Sequence, residues 1–210
     1  MQPDYFANHE RARKFPWTLY HAPLERDLAR FLSGVSGPTG SGANVLVVGC
    51  GLLHELDAAS GDLKFVVADV DPRAVDVVMK RNDPRIVDGV VVPPETPIDM
   101  PARFDAIYAK EVVEHVLAWP AWLAGLRRSL KPGGKLWLST PNYGEPWLPA
   151  LESTVLELVA RRSGFTRRHM HPTRFSRRSL ARGLSAAGFE AVATQVTPTR
   201  LAITAWATAP

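Results

Sequence analysis

Asn44-Val45-Leu46-Val47-Val48-Gly49-Cys50-Gly51 is an apolar, β-branched run that stops abruptly at Gly-x-Gly. Apolar side chains on both faces suit a strand buried inside a parallel sheet, and the glycines let the following turn come close to a ligand. Further on, Lys64-Phe65-Val66-Val67-Ala68 ends in Asp69. That spacing puts a carboxylate at the tip of the neighbouring strand, where it can accept both hydroxyls of a ribose. Glycine turn and acid together point to a nucleotide-type ligand.

Upstream of this pair, Ala22 to Val35 has helical periodicity, with Leu24, Leu28, Phe31 and Leu32 on one stripe. Gly37-Pro38-Thr39-Gly40-Ser41-Gly42 breaks the pattern as a flexible lead-in to the first strand. Residues 1–21 carry Tyr5, Phe6, Phe15, Trp17, Tyr20 and His21 among charges. So many aromatics ahead of the first strand imply a segment that folds over the core or over a bound ligand.

Downstream, Leu52 to Ala59 reads as a short helix with its N-terminus towards the ligand. Asp71-Pro72 starts the next helix, Asp as N-cap and Pro at the first helical position, running to about Arg81. Ile86 to Val92 is the third strand, and Pro93-Pro94-Glu95-Thr96-Pro97 is a loop because successive prolines remove ladder hydrogen bonds. Phe104 to Ala109 is the fourth strand. Lys110 to Val116 reads as a helix start, continued from Pro120 through Leu130, and Lys131-Pro132-Gly133-Gly134 is a tight turn into a fifth strand, Lys135 to Thr140. Trp147 to Val159 is amphipathic and reads as an inserted helix. Ser176 caps a helix to Ala187, and Ala191 to Thr197 with Leu201 to Ala207 can pair as a closing hairpin.

Alternating strands and helices predict an α/β fold, a doubly wound, mostly parallel seven-stranded sheet ending in an antiparallel hairpin. The whole chain, 1–210, is expected to form one domain: an N-terminal cap and lead-in helix to residue 43, a core over 44–142, an inserted segment over 143–175 and the closing elements after it. In such sheets ligands bind beyond the carboxyl ends of the strands at the switch point, where Gly49, Gly51, Asp69 and Lys110 fall.

The 210 residues carry a net charge of +4, basic but well short of a protein that coats nucleic acid. The opening residues lack the apolar segment of a signal peptide and no window approaches a membrane span, so a cytoplasmic location is expected. Cys50 is the single cysteine, which excludes an internal disulfide, and no Cys/His spacing points to zinc. Arg161, Arg162, Arg167, Arg168, Arg174, Arg177, Arg178 and Arg182 follow one another without an intervening acid. They form either a solvated basic face or a landing surface for something anionic.

A dinucleotide fingerprint needs a third glycine three residues after the second, and His54 stands there, which argues against NAD. The blocks Val-Val-Gly-Cys-Gly, Ala-Asp-Val-Asp, Phe-Asp-Ala-Ile-Tyr-Ala-Lys-Glu-Val-Val-Glu-His-Val and Leu-Lys-Pro-Gly-Gly-Lys-Leu-Trp-Leu-Ser-Thr-Pro-Asn resemble the class I S-adenosylmethionine-dependent methyltransferases. The last two look especially like the branch of the ubiquinone-biosynthesis O-methyltransferases. The resemblance covers roughly Asn44 to Asn142, with a weaker echo over Phe175 to Phe189. It implies a Rossmann-like methyltransferase fold with S-adenosylmethionine as cofactor. It gives Gly49, Cys50 and Gly51 to the methionine and ribose portion, Asp69 to the ribose hydroxyls and Val70 to the adenine. Ala109, Lys110 and Glu111 would line the methionine end and the transfer site. Three positions depart from the family pattern: Val47 where an acid is usual, Leu53 where a glycine is frequent, and Val91 to Pro94 without an acid for the adenine amine, leaving Asp88, Glu95 or a backbone carbonyl to substitute.

Methyl transfer from a sulfonium is an in-line displacement that asks the protein to hold acceptor and methyl at near-attack distance and to exclude water. A hydroxyl acceptor must also lose a proton, and histidine is the natural base near neutrality. His115, four residues after Glu111, is one candidate, with packing as its bland alternative. His169 and His171 are the others, and His171 ranks first because the related quinone enzymes carry a histidine shortly before an equivalent Phe, which here is Phe175. The expected activity is O-methylation of a small hydroxylated molecule, aromatic or lipid-like, with no metal required. An RNA or protein methyltransferase using segment 161–182, and a non-catalytic cofactor-binding relative, are the alternatives. No RNA-binding module accompanies the domain, and the apolar side chains of 147–162 could meet an apolar substrate, a partner subunit or a membrane surface.

Overall fold

The computed structural model describes residues 15, 17–37, 42–59, 62–146, 148–149 and 171–210. Seven strands occur among them: β1 Ala43–Val48, β2 Leu63–Asp69, β3 Ile86–Val91, β4 Phe104–Lys110, β5 Leu130–Pro141, β6 Glu190–Val196 and β7 Ala202–Thr208. Four α-helices accompany them: α1 Thr18–Ser33, α2 Pro72–Met79, α3 Trp119–Ser129 and α4 Arg177–Ala186. The strands form one sheet in the order β3-β2-β1-β4-β5-β7-β6, parallel from β3 to β5, with β7 antiparallel to both neighbours. The strand order reverses direction between β1 and β4, which creates the crevice at their carboxyl ends.

Each face of the sheet carries its own core. On one, Val45, Val47, Phe65, Val67, Tyr108 and Trp137 meet Leu28, Phe31 and Leu32 of α1 and Ala74, Val75 and Val78 of α2. On the other, Leu46, Val48, Val66, Ala68, Ile107 and Ala109 meet Trp122, Leu123 and Leu126 of α3 and Leu180 and Leu184 of α4. Alternation along β1 and β4 therefore decides which side chains can reach which ligand: Val48 and Ala109 face α3, while Val47 and Tyr108 face α1 and α2.

Two caps act as their sequences foretell. Asp71 accepts from the Arg73 backbone N–H with Pro72 at the first helical position, and Ser176 and Ser179 form a reciprocal capping box on α4. Four expectations need correction. The segment after Gly51 is a five-residue 3₁₀ turn, His54–Ala58, because Leu53 takes a left-handed φ of 48° and its N–H closes onto the Cys50 carbonyl at 2.8 Å. Lys110 ends β4 instead of opening a helix: Glu111 has φ 58°, a 3₁₀ turn Val113–His115 follows, and α3 starts at Trp119. β5 starts at Leu130, and Lys131-Pro132-Gly133-Gly134 lies within the register break between Phe104↔Leu130 and Ala106↔Lys135. Finally, α1 begins four residues ahead of Ala22, without a capping side chain. The inserted helix expected over Trp147 to Val159 lies outside the described residues, apart from Leu148 and Pro149. No helix among the described residues is long and apolar enough to cross a membrane.

Candidate active site

Gly49 turns the chain at the end of β1 with φ 70°, and a Cβ there would sit 2.5 Å from Val112 Cγ2. Only glycine fits both the dihedral and the space. The turn brings the Gly51 N–H to Asp69 Oδ2 at 3.0 Å, while Asp69 Oδ1 accepts from the Asp71 N–H at 2.9 Å. Asp69 is buried, its carboxylate fixed by two backbone donors. A cavity of about 920 Å³ opens beside it, within the roughly 300–1,000 Å³ usual for small-molecule sites. Gly49, Asp69 and Val70 line it from the tips of β1 and β2, Val92, Pro93 and Ile98 from the segment after β3, and Glu111, Val112, His115 and Trp122 from the segment after β4.

Five of the residues singled out in the sequence thus meet around one cavity: Gly49, Asp69, Val70, Glu111 and His115. The other candidate cofactor and catalytic residues among the described residues do not line it. Gly51 acts through its N–H on Asp69, and Cys50 is buried, its thiol pushed up by desolvation and by Asp69. Ala109 lies in the core opposite Val48. Lys110, on the far face of the sheet by alternation, pairs with Glu55. His169 lies outside the described residues. Of the stand-ins for an adenine acid, Glu95 lines the cavity but accepts from the Leu117 and Ala118 N–H groups, and Asp88 pairs with Arg103.

Beyond Glu111 lies a second, polar cluster. Glu111 Oε1 accepts from Ser139 Oγ at 2.8 Å, and Oε2 accepts from the Tyr20 hydroxyl of α1. Burial raises the Glu111 carboxyl above its ordinary range, against the pull of these donors and of Lys110. Glu114, 1% exposed, accepts from Thr140 Oγ1 at 3.0 Å through Oε2, and its Oε1 has no partner among the described residues. Desolvation, then the charge of Glu111, push its carboxyl far up. His171 reaches this cluster because Thr173 donates to the Glu114 carbonyl from its N–H and to the Val116 carbonyl from its hydroxyl, at 3.1 and 3.0 Å. The His115 and His171 rings stand edge to face with centroids 5.1 Å apart, and the Tyr143 hydroxyl meets His171 Nδ1. Single ligand atoms of Glu114, His115 and His171 lie within 4.8 Å of one another, close enough for a metal ion, although the sequence carries no metal motif.

Sequence reasoning missed Tyr20, Tyr143 and the role of Glu114. The only signal for Tyr20 was the density of aromatics ahead of the first strand. The α-helix expected to carry Glu111 and His115 is not formed: a left-handed residue and a 3₁₀ turn bring both to the cavity instead.

A family model described as a methyltransferase domain matches residues 20–194. A ubiquinone biosynthesis O-methyltransferase from Xanthomonas euvesicatoria pv. vesicatoria is 35% identical over 129 residues, 58% of this chain and 52% of the relative. The mitochondrial ubiquinone biosynthesis O-methyltransferase of Rattus norvegicus is 36% identical over 112 residues, 49% of this chain and 32% of the relative. The chain spans about half or less of these curated relatives. A solved SAM-dependent methyltransferase from Aquifex aeolicus shares the fold, with a TM-score of 0.65 at 17% identity over 98% of both chains. The chain belongs to the methyltransferase-domain family, and its fold is that of the class I S-adenosylmethionine-dependent methyltransferases.

Proposed function

We propose that this chain transfers the methyl group to the hydroxyl of a small aromatic or lipid-like acceptor, with His171 as the base. The observation that carries this reading is the row of rings His115, His171 and Tyr143, of which His115 lines the cavity beside Gly49 and Asp69. The names of the curated relatives support the O-methyl chemistry.

S-adenosylmethionine fits the residues present: Gly49 and Val70 line the cavity beside Asp69, whose carboxylate offers acceptor oxygens for a ribose. When bound, it supplies an activated methyl group. Asp69, Gly49 and Val70 would hold it, with Glu111 towards the reacting end. For His171 to accept a proton at Nε2, Nδ1 carries the hydrogen and donates it to the Tyr143 oxygen, a contact that holds the ring in place. His115 packs edge-on against that ring and limits its rotation. Trp122, Val112 and Ile98 give the cavity an apolar wall.

The test is methyl transfer from labelled S-adenosylmethionine to matched catechols, phenols and long-chain alcohols, with RNA and a protein lysate as further acceptors. Label in a hydroxylated small molecule, lost on His171→Ala, supports the reading. Label in RNA or protein alone overturns it.

A further inference from the structure

Arg174 stands at the outer end of the row of rings described above. Its guanidinium lies over the Tyr143 ring, 5.1 Å from the centroid. Tyr143 meets His171, His171 packs on His115, and His115 lines the cavity, so the four side chains form a continuous path from the cavity to the surface. Arg174 is exposed and makes no ion pair among the described residues. Glu145, two residues beyond Tyr143 in the sequence, receives Arg200 through both oxygens at 2.7 and 2.8 Å. Glu114 is buried, and its Oε2 is bonded to Thr140.

A guanidinium stacked on an aromatic face keeps its edge N–H groups available, and their fork matches a carboxylate or a phosphate. Its cost of ordering is reduced because the ring already holds the plane. We propose that Arg174 is a specificity determinant that selects acceptors carrying an oxyanion, a carboxylate or a phosphate, at the end of the molecule away from the hydroxyl to be methylated. This rests on the reading of His115, His171 and Tyr143 as the acceptor site. The oxyanion is held at the surface by Arg174, the acceptor lies along Tyr143, and its hydroxyl is directed to His171 beside the cavity.

The experiment is calorimetric titration of the protein saturated with S-adenosylhomocysteine, using 3,4-dihydroxybenzoate, its methyl ester and 3,4-dihydroxyphenylphosphonate. Wild type binds the acids roughly 10–100-fold more tightly than the ester, the range of a charge-assisted bidentate contact. The tighter of the two acids names the group. R174Q brings the acids down to the level of the ester, whereas R182Q, an exposed arginine of α4, keeps the gap. Equal binding of acid and ester by wild type, an unchanged gap in R174Q, or equal weakening of all three ligands by R174Q overturns the proposal. Methyl transfer to the same compounds separates this from the parent reading. A binding gap without any transfer removes the O-methylation but leaves the oxyanion subsite in place.

Discussion

The half of the site at the tips of β1 and β2 is made chiefly of backbone and one carboxylate. Gly49 makes the turn that packs against Val112, the Gly51 and Asp71 N–H groups fix Asp69, and these parts fall within Gly49 to Asp71. The half beyond β4 is made of side chains delivered by separate segments: Tyr20 from α1, Glu111, Glu114 and His115 after β4, Tyr143 after β5 and His171 ahead of α4. A backbone-built half tolerates change at few positions and can serve a fixed ligand. A side-chain-built half can be re-specified one residue at a time, which suits whatever differs between relatives that share a methyl donor.

The largest expected effect separates the two halves. His171→Ala should lower kcat by about a hundredfold to ten-thousandfold, the usual contribution of a positioned base, and remove the acidic limb of the pH–rate profile. Isothermal titration with S-adenosylhomocysteine should find cofactor affinity retained. Loss of cofactor binding in this variant would break the division.

On the other side, Gly49→Ala combines a left-handed φ with a contact at 2.5 Å to Val112 Cγ2. Strain and overpacking together should cost about 2–4 kcal/mol, read as a lower melting temperature and lost cofactor binding. Adding Val112→Ala should return part of this, the remainder being the dihedral. Asp69→Ala comes next: cofactor affinity should fall by about 2 kcal/mol, the scale of charge-assisted hydrogen bonds to a ribose, with less effect on acceptor KM. An equal loss in both would mean that Asp69 orders the whole site.

The same division explains what was legible in the sequence. The strand-glycine-strand-acid pattern is local, so Gly49, Asp69 and the α/β sheet could be read from adjacent residues. Ser176 and Asp71 announced their helices for the same reason. Lys110 ends β4 instead of opening a helix, and strand alternation counted from Tyr108 sends its side chain to the far face, where it pairs with Glu55. Tyr20 and Tyr143 became part of the cluster only through contacts 91 and 28 residues away along the chain, to Glu111 and His171. No periodicity encodes such contacts.

Tyr20 sharpens the comparison because it ties α1 to the side-chain half. Tyr20→Phe removes a donor from a buried carboxylate while keeping the ring, so a loss of about 1 kcal/mol in stability is expected by chemical denaturation. A change in kcat/KM beyond that of His171-independent packing would show that Glu111 needs this donor to present itself to the cavity.

The smallest expected effect concerns Glu114, and its sign is set by burial. The ordinary value of this carboxyl is 4.5, and in the folded protein desolvation and Glu111 raise it well above that. Between 4.5 and the raised value the folded state therefore binds more protons than the unfolded chain, and stability falls as pH rises through that window. Glu114→Gln keeps an oxygen for the Thr140 hydroxyl and removes the charge. Its melting temperature should match that of wild type near pH 4, where the native side chain is neutral in both states, and exceed it increasingly towards pH 8. A variant less stable than wild type at pH 8 would mean that the ionised carboxylate is held by a partner at Oε1, and the side-chain half would then be organised around a charge instead of around rings and neutral hydrogen bonds.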